Sequence, residues 1–120
     1  MDKDKFKKIV QEATEEMPKK FKEKLDNVAL VVEDKPSDDQ LKKAGVPESG
    51  LLFGLYHGVP QTKRQHYSGR LPDKITIFQD SIEKVAKQPE AVKKKVKQTV
   101  AHEFAHHFGF DEKGVRDLDL

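Results

Sequence analysis

The sequence contains no cysteine, which excludes disulfides and thiolate metal sites, so any transition metal must be held by histidine and carboxylate. It also lacks any apolar run of membrane-spanning length, and the basic start Met1-Asp2-Lys3-Asp4-Lys5-Phe6-Lys7-Lys8 is not followed by the apolar stretch of a secretory signal. Neither sign of charge dominates. Lys and Arg number 23 against 21 Asp and Glu, a formal charge of +2 that gives no electrostatic case for nucleic acid or an anionic membrane as main partner. Apolar residues are scarce, 35% against 37% charged, so a thin core and heavily solvated helix faces are expected. These absences leave a soluble, cytoplasmic protein as the expectation, with 120 residues suited to one domain over 1–120.

The apolar residues that are present fall into periods. Phe6, Ile9, Val10, Ala13 and Met17 recur at helical spacing among lysines and glutamates until Pro18 ends or redirects the helix, and Phe21 and Leu25 mark a short second one. Val28-Ala29-Leu30-Val31-Val32 has the β-branched character of a buried strand and is expected at the centre of a sheet. Ser37-Asp38-Asp39-Gln40 reads as a helix start, with Leu41 and Ala44 inward and Gly45 and Pro47 closing it. Leu51 to Tyr56 and Lys74-Ile75-Thr76-Ile77-Phe78 read as two further strands, separated by a polar, loop-like stretch from Gln61 to Asp73. Asp80-Ser81 is expected to cap a helix containing Ile82, Val85 and Ala86, and Pro89 to open a longer one. In that last helix Val92, Val96, Val100, Phe104 and Phe108 form a stripe that should face the sheet, with Thr99 and Glu103 beside it. The run Lys93-Lys94-Lys95-Val96-Lys97 reads as a solvated helix face rather than a nucleic-acid patch.

The chemistry gathers at the end of this helix, in His102-Glu103-Phe104-Ala105-His106 followed by His107-Phe108-Gly109-Phe110-Asp111-Glu112. Histidines at i and i+4 project from one helix face a turn apart, as two imidazoles must to bind one tetrahedral zinc ion. A catalytic zinc takes a third protein ligand and keeps one position for water. Gly109 can adopt positive φ and reverse the backbone, so that a carboxylate a few residues later swings back. Glu112 stands where HExxHxxGxxH motifs, or the same with Asp, place that ligand and is preferred, with Asp111 in reserve. Glu103 lies beside the first ligand, where it can take a proton from the attacking water and pass it to a leaving amine, so the expected reaction is peptide or amide hydrolysis. An HExxH pattern alone also occurs in helices that bind no metal; the glycine, the acidic pair and the amphipathic helix around it make this one specific.

Other polar residues carry weaker signals. His107 points about 100° away from His106 and is expected at the surface or as a support. His57, on the second strand, and His66, Tyr67 and Arg70, in the polar loop, could stabilise an oxyanion if that loop folds over the metal, although solvent exposure is the expected role. Asp117 and Asp119 could accept a ligand histidine's second N–H, with a frayed tail as the default.

The motif, with Leu25 to Asp34, Gly54-Leu55-Tyr56-His57-Gly58-Val59-Pro60, Leu71 to Phe78 and Thr99-Val100-Ala101 before it, resembles the small bacterial zincin-like proteins regarded as possible zinc metallopeptidases, over nearly the whole chain. The resemblance implies an α+β minimal zincin: a small mixed sheet of about three to four strands packed on helices that include the HExxH helix, with little or no C-terminal subdomain. It implies zinc ligands at His102 and His106, a catalytic carboxylate at Glu103, and usually an aspartate where this chain has Glu112. That departure makes Asp111 a more serious rival. The methionine turn of metzincins is excluded, because the only methionines are Met1 and Met17.

Two readings follow. One is a zinc-dependent metallopeptidase acting on a peptide or protein substrate. The other is a non-catalytic zinc-binding interaction module of the same fold, adding a partner's strand to an exposed sheet edge. Neither involves nucleic acid or membrane; nucleic-acid binding through the lysine-rich helices is a third, weaker reading that steep salt dependence would reveal. A monomer is favoured, with dimerisation across a sheet edge left open.

Overall fold

The computed structural model describes residues 1–25, 28–47, 50–58 and 73–108, without the side chains of Lys24, His106, His107 and Phe108. The elements run α1 (Lys3–Glu15), α2 (Lys19–Leu25), β1 (Val28–Glu33), α3 (Asp38–Ala44), β2 (Gly54–His57), β3 (Asp73–Phe78), α4 (Gln79–Val85) and α5 (Pro89–Phe108). Among the described residues no helix is long and apolar enough to cross a membrane.

Most helix ends form where local chemistry dictates. The Asp2 carboxylate accepts the Lys5 N–H at 2.8 Å and starts α1. Ser37 and Gln40 form a reciprocal capping box on α3, which Gly45 closes at φ 71°, a left-handed conformation that suits glycine. Pro89 takes the first position of α5, where a missing N–H costs nothing. The start of α4 differs from the expected cap at Asp80-Ser81. β3 runs straight into the helix, Phe78 stands at the cap position with no side-chain hydrogen bond, and Asp80 and Ser81 fall inside. Tertiary contacts fix this junction instead: Phe78 is fully buried and the Asp80 N–H donates to the Asp34 carbonyl at 2.8 Å.

The mixed sheet has the order β1-β3-β2, with β1 parallel and β2 antiparallel to β3. Among the described residues β3 is therefore central and β1 lies at an edge, which corrects the expectation for Val28–Val32. Every residue of β1 is half-buried, whereas all of β3 except Lys74 is buried. An apolar, β-branched run marks a strand that packs, but it does not say which strand has neighbours on both sides. β2 is also shorter than Leu51 to Tyr56; Leu51 and Leu52 precede the ladder, and Phe53 joins it only through its carbonyl, which accepts the Phe78 N–H at 2.9 Å.

Strand register sorts the side chains onto two faces. Leu30, Ile75 and Tyr56 are cross-strand partners, as are Val32, Ile77 and Gly54, so both rows share a face. That face packs against Phe6, Ile9, Val10 and Ala13 of α1, Phe21 of α2, and Val92, Val96, Val100 and Phe104 of α5. The opposite face carries a smaller cluster of Leu41, Leu52 and Phe78. Each fully buried Phe or Val contributes about 1.5–3 kcal/mol relative to exposure, so the α5 stripe anchors the helix across the sheet.

Charge ties α1 to α5 at the surface. Glu16 lies 2.7 Å from Lys93 Nζ and 2.9 Å from Lys97 Nζ, and Glu12 lies 3.5 Å from Lys93. The hydrogen bond from Lys93, followed by that from Lys97, holds the Glu16 carboxyl below its ordinary range, and Glu16 in turn raises Lys93. A lowered folded-state carboxyl pKa stabilises above the unfolded value of about 4.3 and loses that contribution as pH falls through the folded value. Glu16→Gln should therefore lower Tm at neutral pH, with the difference from the unmodified protein closing as acid protonates Glu16; thermal melts across that pH range measure it.

Candidate functional site

The rotation of α5 about its axis decides which residues of the HExxH motif meet solvent. Val100, Ala101, Phe104 and Ala105 are buried, and the Phe104 ring lies 4.5 Å from that of Phe21 at an interplanar angle of 50°. With those side chains fixed inward, His102 is exposed and Glu103 is half-buried at the shoulder of the helix. Glu103 Oε2 accepts the backbone N–H of Tyr56 at 3.2 Å, across a sequence separation of 47 residues. The catalytic candidate is thus tied to β2, an edge strand of the described sheet.

Tyr56 is held at both ends. Its backbone meets Glu103, while its hydroxyl donates to the buried Asp73 carboxylate on β3. A side-chain hydrogen bond of this kind, inside a core, fixes the ring and with it the strand segment that orients Glu103.

Gly54 sets the distance between strand and helix. A Cβ at this position would lie 2.6 Å from Thr99 Cγ2, closer than packed atoms allow, and a tight 3.1 Å from the Thr76 carbonyl oxygen. Thr99 is fixed by its hydroxyl, which donates to the Lys95 carbonyl at 2.8 Å. The missing side chain therefore lets α5 settle low enough on β2 for Glu103 to reach Tyr56. Between these elements opens a cleft of about 230 Å³, lined by Leu51 to Gly54 on one wall and by Lys95, Gln98, Thr99, His102 and Glu103 on the other.

Of the residues expected from sequence, His102 and Glu103 come together at this cleft. His106 lies one turn further along α5, whose backbone continues to Phe108, but its side chain is outside the description. Gly109, Glu112 and its reserve Asp111, together with His66, Tyr67, Arg70, Asp117 and Asp119, lie outside the described residues, as does the side chain of His107. Among the described residues no three His, Asp or Glu side chains could hold a metal ion, His102 being the one expected ligand whose side chain is described. The donors that are described suit zinc: an exposed imidazole at a cleft, with an oriented carboxylate beside it on the same helix. His57 does not join them. Strand alternation puts it on the sheet face opposite Tyr56, away from α5, where it is exposed.

A helix crossing a small mixed sheet, with a His-Glu pair at the cleft against an edge strand, defines a zincin-like arrangement. The chain matches the family of zincin-like metallopeptidases over residues 25–120 and belongs to it. At family level, membership implies zinc binding and hydrolase chemistry. No curated protein matches the chain.

Gly54 and the Tyr56 N–H were not evident from motif spacing. The one local signal was a glycine in a strand, which often marks close approach of another backbone. Overpacking typically costs about 1–3 kcal/mol, and Gly54→Ala should fall in that range. Thr99→Ser removes the opposing methyl group, so the double variant should recover part of the loss. Urea denaturation of the two single variants and the double reads the coupling, and strictly additive costs would show that the two positions do not meet.

Proposed function

We propose that this protein is a zinc-dependent peptidase that hydrolyses peptide bonds in the cleft between α5 and β2. The observation that carries the reading is the Glu103 carboxylate, oriented by the Tyr56 N–H and placed on the cleft wall next to exposed His102. His102 and His106 would hold the metal, with Glu112, or in reserve Asp111, completing the set. Zinc bound there would supply a Lewis acid that makes water a competent nucleophile near neutral pH.

The chain's own residues supply the rest. Glu103 takes a proton from the attacking water as its oxygen adds to the scissile carbonyl carbon. It then delivers that proton to the leaving nitrogen as the C–N bond breaks, so the products are a carboxylic acid and an amine. The Tyr56 N–H limits the rotamers of Glu103, so the proton is moved by a group already in position. The partner is a peptide or protein in the cytoplasm.

The hydrogen bond to Tyr56 also favours a second reading, because a carboxylate that fastens a helix to a strand is useful to a non-catalytic zinc-binding interaction module. Glu103→Gln separates the two. A glutamine oxygen can still accept the Tyr56 N–H, so the fold and the zinc should be retained. A peptidase should lose about 10²–10⁴-fold in kcat, whereas a binding module should keep its partner affinity. Metal analysis of His102→Ala and His106→Ala should show zinc lost from both, and unchanged zinc content in either would overturn the assignment.

A further inference from the structure

The geometry points to a carboxylate-selecting subsite centred on Lys95, at the end of the cleft remote from Glu103. The lysines of α5 have separate surroundings. Lys93 pairs with Glu12 of α1 and with Glu16 at its C-cap, and Lys97 pairs with Glu16. Lys95, two residues from each and so turned about 200° around the helix, faces the other way. Its Nζ lies 4.1 Å from the centroid of the Phe53 ring, on the opposite wall of the cleft. No carboxylate among the described residues forms an ion pair with it. A cation over an aromatic face is held in place while keeping its N–H donors for another acceptor. Among the described residues that line the cleft Lys95 is the one lysine or arginine, and Leu51 to Gly54, Gln98 and Thr99 around it carry no charge.

Position along the helix sets what the subsite can recognise. Lys95, Gln98 or Thr99, and His102 follow one another at three- and four-residue steps on one helix face. Seven residues of helix separate Lys95 from His102, a rise of about 10 Å. An extended peptide covers that distance in about three residues. The preferred ligand is therefore a peptide carrying a carboxylate two to three residues from the bond nearest His102, on an acidic side chain or at a free C-terminus. This inference rests on the peptide-binding cleft of the reading above, but not on cleavage.

The test uses the zinc-loaded full chain carrying Glu103→Gln and labelled hexapeptides measured by fluorescence anisotropy. One set has a single Glu scanned through a neutral sequence with an amidated end, one peptide is neutral with a free C-terminal carboxylate, and one is neutral and amidated. A carboxylate peptide should bind about fivefold or more tightly than the neutral amide, with the advantage shrinking as salt is added. The tighter arm tells side chain from terminus. Lys95→Arg should preserve the preference and Lys95→Glu should abolish or reverse it. Equal binding of all peptides, absence of binding, or a preference that survives Lys95→Glu would overturn the inference. Turnover is then measured with Glu103 restored. Charge preference without turnover would sink the peptidase reading alone, and turnover without charge preference would sink this one alone.

Discussion

The position of Glu103 depends on how closely α5 can approach β2. The attraction is hydrophobic and undirected: Val92, Val96, Val100 and Phe104 draw the helix onto the sheet but would accept a range of heights above it. Gly54 and Thr99 fix the height, because the bare Cα of one receives the methyl group of the other. The Phe21 ring against Phe104 helps to fix the rotation. With height and rotation set, the Glu103 carboxylate reaches a backbone donor on β2 and His102 is left in solvent. A side chain larger than hydrogen at residue 54 would lift the helix, and the hydrogen bond, the cleft and the direction of His102 would change together.

The donor that Glu103 uses is itself a consequence of topology. β2 is paired on one side by β3, so among the described residues its other side presents backbone groups that a central strand would have placed in a ladder. Accepting one of them satisfies a donor at a sheet edge and orients the carboxylate in the same contact. The Tyr56–Asp73 bond steadies the edge from below, linking β2 to the central strand through side chains as well as through the ladder. Glu103 and the donor it uses thus both sit on regular elements, a helix and a strand, which hold the carboxylate more precisely than a loop would.

What could be read in advance from the sequence is what depends on neighbours along the chain. The stripe Val92 to Phe104 announces α5, Pro89 its start, and Ser37 with Gln40 the start of α3, because helical period and capping act over three or four residues. The pairing of Glu103 with Tyr56 spans 47 residues, and nothing local to either announces the other. The same limit explains β1: its apolar run requires packing, but its place at the edge follows from β3 lying between two partners. The short β2 follows from where β3 offers hydrogen-bonding partners, since Leu51 and Leu52 have strand-like composition but precede the ladder. A third ligand drawn from Asp111 or Glu112 would be set by tertiary contact rather than by helical period or capping, so residue identity names two candidates and not one.

The lysine run illustrates how one compositional signal divides in three dimensions. As a string, Lys93-Lys94-Lys95-Val96-Lys97 is uniformly basic, and a solvated helix face is its natural reading. Winding at about 100° per residue breaks it up. Val96 turns into the core, Lys93 and Lys97 reach across to α1, and Lys95 falls on the row that leads to His102. That row is no accident of charge. A helix that presents His102 beside a buried stripe must present whatever lies three, four and seven residues earlier along that side as well. Lys95, Gln98 and Thr99 are therefore set on the cleft wall by the same period that puts His102 there, and a change at residue 95 alters the cleft although it lies two turns from His102.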